Sequence, residues 1–380
     1  MAKVRAVDIA RMLNISKATV SLALNGKPGV SEETREEVRR CYVRLLHEDE
    51  ANVSPENVRY PALDDRVYPA AGSAVPTASR IIKVITVDGH QHVAINSEMD
   101  LRTGVLKEFS RECSRLNYTL ALSYVDLDSN EAANAVREAN QEEVLGVIVI
   151  ATEMMAEDAK LFRGIRRPMV IYDNDLSDHH SCVIIDNVGA SSMAVDYLVR
   201  RGRKDICYLG NTKDIFNFRQ RRAGFRNAVI RNGLKLREDS IREIGSTIDD
   251  VYENMKRLIE EGCRLPEAFL FENYQVSAGV MRALREKNIR VPEDISLIGI
   301  DELPSYVETP YRLTTIRISH AERGKIAMLL LEQEIMGAIT RKFKVLSNCE
   351  LIQGESVSGE KVIKNLQTSG DTDLSAPAGI

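Results

Sequence analysis

The stretch AVDIARMLNISKATVSLALNG, residues 6–26, reads as two short helices joined by a tight turn. Val7, Ile9, Ala10 and Leu13 recur at helical spacing and form one apolar stripe. Asn14 and Ile15 make the turn, and Ser16 offers a capping hydroxyl to a second helix that stops at Asn25-Gly26. A third helix is predicted from Ser31, with Glu32 and Glu33 at its positive dipole end and Val38, Tyr42 and Leu45 facing the first two. Together they make an all-α helix-turn-helix unit with a minimal core. Such a unit lays its second helix in the major groove of DNA with the first residues toward base edges. Lys17, Ala18 and Leu22 are therefore the expected readers: the lysine can donate to guanine O6 or N7, and the two apolar side chains suit a thymine methyl. Thr19, Ser21 and Asn25 fall nearer the phosphates. The competing reading is a small protein-interaction domain with a solvated basic face.

Outward from this head the charge changes sign. Residues 1–47 carry nine Lys and Arg against five Asp and Glu, whereas the whole 380-residue chain has a net charge of -5. Residues 48–80 hold six acids, three arginines and four of the eleven prolines, without a sustained apolar period, as expected of an exposed linker. From residue 81 short β-branched runs alternate with helical stretches. The runs are IIKVITVD at 81–88, YTLALSYVD at 118–126, LGVIVIA at 145–151, PMVIYD at 168–173, CVIIDN at 182–187, DICYLG at 205–210, EAFLFEN at 267–273 and DISLIGID at 294–301. Runs apolar on nearly every residue fit strands covered on both faces, so the body is expected to be parallel α/β of about two domains. Ligands collect at the carboxyl ends of such strands, which directs attention to Asp173, Asn273 and Asp301. Residues 361–380 have the composition of a disordered tail.

Composition excludes several classes. No run approaches the roughly 18 apolar residues of a membrane span, and the amphipathic start is unlike a secretory signal, so a cytoplasmic protein without a membrane partner is expected. Six scattered cysteines without a CxxC pair predict neither a disulfide framework nor a zinc ribbon. Tryptophan is absent and aromatic residues are 5%, which disfavours single-strand binding by stacking. No P-loop, Gly-x-Ser-x-Gly elbow or HExxH motif occurs, so no enzyme, cofactor or metal site is expected; His90 with His92 lacks an accompanying acid or thiol cluster.

The segment VDIARMLNISKATVSLALNGKPGVSEETREEV, 7–38, resembles the DNA-binding head of the lactose-repressor (LacI/GalR) family of bacterial transcription regulators. The likeness continues in VIIDNVGASSMAVDYLVRRGRKDICYLG at 183–210, FRQRRAGFRNAV at 218–229, VPEDISLIGIDE at 291–302 and RLTTIRISHAERGKIAMLLL at 312–331. The resemblance implies a two-lobed periplasmic-binding-protein-like (type I) core over 81–360, with lobe 1 from about 81–186 plus 314–340 and lobe 2 from about 187–313 plus 341–360. It also implies a homodimer on a palindromic double-stranded operator, most simply a repressor, and a small effector between the lobes. Doubling is what one weakly discriminating module needs.

Within that resemblance Arg221 stands in an Arg-x-x-Gly-Phe arrangement with Gly224 and Phe225 and places a guanidinium in the cleft. Its planar donors suit a sugar diol or carboxylate. Asp301 accepts from hydroxyls, Asn273 donates and accepts, Asp173 is a further acid, and Asn217 and Phe218 add a polar and an aromatic wall. Tyr274 replaces the family's usual acid, and the loop HVAINSEMD lacks an aromatic pair, offering Ser97 and Asn96 instead. A carbohydrate or its derivative is the expected effector, because a nucleobase asks for more stacking surface. The linker departs from the family's hinge helix: Leu63 is an isolated wedge candidate, Glu48, Asp49 and Glu50 repel phosphate, and Pro55 and Pro61 interrupt a helix. That departure, with Leu22 where the family often has arginine, motivates the alternative of a cytoplasmic small-molecule sensor with weak or lost DNA binding.

Overall fold

The computed structural model describes residues 80–89, 100–176 and 179–359, together with Leu13, Ile15, Ser16, Thr19, Val20, Ser31, Thr34 and Val38 of the head. Its contacts part the chain into Met1–Ala74 and Val75–Ile380. The expected linker up to residue 79 and the tail 361–380 lie outside the described residues. In the head, the two serines expected to cap helices do so. Thr19 N donates to Ser16 Oγ at 3.0 Å and Thr34 N to Ser31 Oγ at 3.2 Å. Val20 and Val38, from the second and third predicted helices, are fully buried.

Among the described residues the body holds two six-stranded sheets. The first contains β1 (Ile81–Asp88), β2 (Thr119–Asp126), β3 (Val144–Ile150), β4 (Met169–Tyr172), β5 (Ser181–Ile185) and β11 (Lys344–Ser347), in the order β11-β5-β4-β3-β1-β2, all parallel. The second contains β6 (Ile206–Asn211), β7 (Ile241–Gly245), β8 (Ala268–Phe271), β9 (Ser296–Ile300), β10 (Thr314–Arg317) and β12 (Glu350–Ile352). Its order is β12-β10-β9-β8-β6-β7, with β12 antiparallel to β10. The helices are α1 (Asp100–Arg115), α2 (Glu131–Ala139), α3 (Asn187–Arg200), α4 (Phe216–Arg231), α5 (Ile248–Glu260), α6 (Tyr274–Glu286) and α7 (His320–Ile335).

The continuous apolar runs have the cause expected of them. In β3, Val147 and Val149 enter the core on one face while Ile148 and Ile150 enter the core on the other. In β8, Ala268 and Leu270 face one core and Phe269 and Phe271 the opposite one. A helix layer on each face leaves no solvated side to mark by alternation. Lys83 is the buried charge within β1: its stem ends in an ammonium 2.6 Å from Glu138 and 2.7 Å from Ser123.

The lobe limits expected from sequence need correction. Segment 314–340 does not belong to the first lobe as a whole, because β10 pairs in parallel with β9, Thr314 opposite Ile298. Nor does 341–360 belong wholly to the second: β11 lies beside β5, Val345 opposite Val183. Only α7, packed on α1 and on β3, β4 and β5, joins the first lobe between them. The chain therefore passes between sheets after β5, between β10 and α7, and between β11 and β12.

Gly224 explains how α4 comes close enough to α3 to carry Arg221 into the interior. A Cβ there would stand 2.6 Å from Val188 O and 2.8 Å from Val188 Cα, against backbone that cannot swing away. Gly224→Ala is expected to push the two helices apart and to cost about 1–3 kcal/mol of stability, measured by urea unfolding; an unchanged midpoint would contradict this packing.

Candidate functional site

The two sheets end in matching ways. Asp173 follows β4 and Asp301 follows β9, and both adopt left-handed backbone, at φ 73° and 72°. This conformation is uncommon for residues with a side chain and clusters where function demands it. Each carboxylate meets a buried guanidinium. Arg323, near the start of α7, donates to Asp173 Oδ1 and lies with its Cζ 4.4 Å from the centre of the Tyr172 ring. Arg221, on α4, donates from NH1 to Asp301 Oδ2 at 3.1 Å and to the Glu272 carbonyl at 2.6 Å.

The two pairs are joined by asparagines. Arg221 Nε donates to Asn187 Oδ1 at 2.8 Å, Asn187 Nδ2 to Asn217 Oδ1 at 2.7 Å, and Asn217 Nδ2 to Asp173 Oδ2 at 3.0 Å. Thr152 Oγ1 donates to the same Asp173 oxygen at 2.8 Å. A hydrogen-bonded chain thus runs from α7 and the first sheet to α4 and the second, and the Asn217–Asp173 bond is its crossing point. Arg221, Arg323, Asn187 and Asn217 are each at most 4% exposed, so every one of these groups needs the partners it has.

The floor on the second side is Glu272, fully buried between β8 and α6. Its carboxylate accepts from Tyr208 Oη at 2.8 Å, Asn211 N at 2.6 Å and Arg222 Nε at 2.9 Å. Burial raises its pKa and Arg222 opposes that shift. By tying β6, β8 and α4 together it fixes the carbonyl on which Arg221 rests.

A cavity of about 80 Å³ remains between Asp173, Asn217, Phe218, Arg221, Tyr274 and His320. Asn273, Asp301 and Thr152 also border it. Burial, and then the Arg323 cation, lower the His320 pKa, so its imidazole is neutral at pH 7. Arg221, Asp301, Asn273, Asp173, Asn217 and Phe218 gather at one cleft. Asn273 is partly committed elsewhere, since its Oδ1 caps α6 by accepting from Val276 N at 3.1 Å. Ser97 lies outside the described residues, as do Lys17, Ala18, Ser21, Leu22, Asn25 and the His90–His92 pair. Thr19 is described, and its hydroxyl is 2.8 Å from that of Ser16 in the cap.

Arg323, Asn187, Thr152 and His320 escaped the sequence reading. Arg323 carried one legible signal: it stands four and eight residues before Ala327 and Leu331, both fully buried, and so shares the inward stripe of α7. Among the described residues no group of three His, Cys, Asp or Glu is placed to hold a metal ion, and no helix is long and apolar enough to cross a membrane.

Known proteins resemble the chain along its length. Residues 7–42 match the family described as bacterial regulatory proteins, lacI family, and residues 195–357 match the periplasmic binding protein-like domain. An HTH-type transcriptional repressor PurR of Glaesserella parasuis is 27% identical over 329 residues, covering 86% of this chain and 89% of its own. The PurR of Mannheimia succiniciproducens is 27% identical over 352 residues, covering 92% and 97%. A lac repressor dimer bound to operator and the anti-inducer ONPF shares the fold with a TM-score of 0.63 at 22% identity, over 94% of this chain and 100% of that one. A transcriptional regulator CelR in complex with cellobiose aligns with a TM-score of 0.63 at 20% identity, over 93% and 100%. With a lacI-family helix-turn-helix head joined to a type I periplasmic-binding-protein-like body, in the order its relatives share, the chain belongs to the lacI family of bacterial transcription regulators.

Proposed function

We propose that this regulator is a repressor that binds a palindromic operator as a homodimer through residues 1–47, and that a small, uncharged, hydroxyl-rich molecule of the carbohydrate class controls it from the cleft. The observation that carries the effector class is the charge balance of the site. Two guanidiniums, Arg221 and Arg323, are already matched by two carboxylates, Asp301 and Asp173, and His320 is neutral. A phosphate or carboxylate ligand would meet as much negative as positive charge, whereas hydroxyls can donate to the aspartates and accept from Arg221 and the Asn273 amide. The CelR and Weissella paramesenteroides CcpA structures hold cellobiose and glucose, which supports this class.

The cavity of about 80 Å³ is far below the ~300–1,000 Å³ of ordinary ligand sites. Entry therefore requires the Asn217–Asp173 bond to give way and the lobes to part, and the ligand's hydroxyls then replace that bond. Such an exchange is how occupancy becomes lobe geometry. The rings of Phe218, Tyr274 and His320 on the same wall favour a second reading, a flat uncharged heteroaromatic base. Titrating the full-length protein with neutral sugars, sugar phosphates and purine bases, read by thermal shift and by release of labelled palindromic DNA, decides between them; response to sugar phosphates alone would defeat the charge argument.

The two sites should separate by mutation. Lys17→Ala is expected to weaken operator binding about tenfold, to relax discrimination at the base pair it reads, and to spare effector affinity. Arg221→Ala should weaken effector binding about ten- to hundredfold and leave low-salt operator affinity in place. Loss of both functions from either change would mean misfolding. The buried imidazole sets a pH dependence as well. His320 binds its proton less readily folded than unfolded, so its contribution to stability is complete above about 6.5 and is lost as the pH falls below it. His180, whose pKa burial and Lys342 also lower, adds to the same acid loss. His320→Gln should flatten part of the decline in melting temperature between pH 7 and 5; an unchanged slope would refute this assignment.

A further inference from the structure

The second lobe has a cavity at the opposite ends of its strands from the cleft. It lies where β6, β7 and β8 begin, beneath the last turns of α5, and at about 180 Å³ it is larger than the cleft cavity. Its floor is hydrocarbon from Leu209, Met255, Leu258 and Phe269, continuous with the core on that face of the sheet. Its wall is of another character. Arg237, Arg242 and Arg264 stand there with two acids, Asp205 and Asp239. Asp205 is held by Arg237 at 2.7 Å and by Arg264 at 3.2 Å, and Asp239 by Arg237 at 2.9 Å and Arg242 at 3.1 Å. Both carboxylates are thus engaged, and three guanidiniums against two acids leave one positive charge uncompensated. Arg242 also donates from NH1 to Cys263 Sγ at 3.0 Å, which places a thiol on the rim.

We propose that this cavity is a second ligand site, separate from the effector cleft, for a small organic acid with a compact apolar body. The volume exceeds that of a 150 Å³ apolar protein cavity known to accept benzene, so one ring or a short branched chain fits. The ligand's hydrocarbon lies between Met255, Leu258 and Phe269, and its carboxylate faces the arginine wall, where planar donors already held by aspartates lose little freedom on binding. A polyol has no partners on this floor, and a cation meets the surplus charge. The ligand class therefore differs from that of the cleft, and this site stands or falls independently of the effector reading.

Cys263 supplies a reporter. Benzoate is the probe, and alkylation of Cys263 by iodoacetamide in the full-length protein is followed by peptide mass spectrometry. Millimolar benzoate is expected to slow this alkylation several-fold, and benzyl alcohol at the same concentration to slow it less. Arg264→Ala, at a side chain 84% exposed, should reduce the benzoate effect toward that of the alcohol, with folding checked by circular dichroism. Leu258→Trp, with folding checked by circular dichroism, should abolish protection by filling the cavity. Alkylation indifferent to benzoate, equal protection by benzyl alcohol, or an undiminished benzoate effect in Arg264→Ala would each overturn the proposal.

Discussion

The hydrogen bond from Asn217 Nδ2 to Asp173 Oδ2 joins a helix of one lobe to a strand end of the other, and the organisation of the site depends on it. Ionised side chains withdrawn from water must be paired and hydrogen-bonded or they destabilise the fold by several kcal/mol each. Asp173 meets that requirement with Arg323, Thr152 and Asn217, so part of what stabilises a first-lobe carboxylate is supplied by the second lobe. Separating the lobes takes one donor away from Asp173 and one acceptor away from Asn217. A ligand able to return both finds its binding coupled to the arrangement of the two halves, which is what a sensor requires.

Much of this organisation is legible in the sequence. Strands covered on both faces announce themselves because nearly every side chain in them is apolar, and the runs containing β1, β3, β4, β8 and β9 are recovered to within two residues of their ends. The strands that escaped are of a different kind. Three of the four, β7, β11 and β12, are edge strands, and IREIG, KVLS and ELI carry charged or polar residues on a partly exposed surface, while the fourth, β10, is an interior strand of only four residues, too short and too polar in TTIR to stand out. Their membership in a sheet comes from pairing with a distant partner, which no local pattern encodes. The same limit explains the lobe boundaries. A segment such as TTIR at β10 can complete either sheet as far as its composition shows, and the register against β9 decides.

The site divides along the same line. Asp173, Asn273 and Asp301 are singled out by their places at strand ends, and Arg221 by the Arg-x-x-Gly-Phe arrangement of the family the chain resembles. Asn187 and Arg323 are different. Asn187 is an ordinary first residue of a helix until Arg221 and Asn217 are seen to meet its two amide atoms. Arg323 looks like a solvated charge until its helix is docked, because an arginine on an inward stripe is meaningful only when its carboxylate lies on another element, 150 residues away in sequence. Buried polar partnerships are long-range facts, and the pattern of one helix shows only that a partner is required.

The near-symmetry of the two acid–guanidinium pairs bears on what the cleft can recognise. Each aspartate sits in left-handed backbone at the carboxyl end of its strand, a conformation that costs of order 1–3 kcal/mol where nothing over-determines it. Backbone bonds do so at both places: Asp173 N donates to Val183 O at 2.9 Å and Asp301 N to Ile316 O at 3.1 Å, in each case reaching the neighbouring strand of its own sheet. The carboxylates are therefore set by the sheets while the arginines arrive from helices, α7 for one and α4 for the other. A movement of helix against sheet in either lobe must alter an ion pair whose carboxylate borders the cavity. Because the two acids stand on opposite lobes, a molecule bridging them reads the distance between the lobes directly, and its affinity is greatest in the one arrangement that satisfies both.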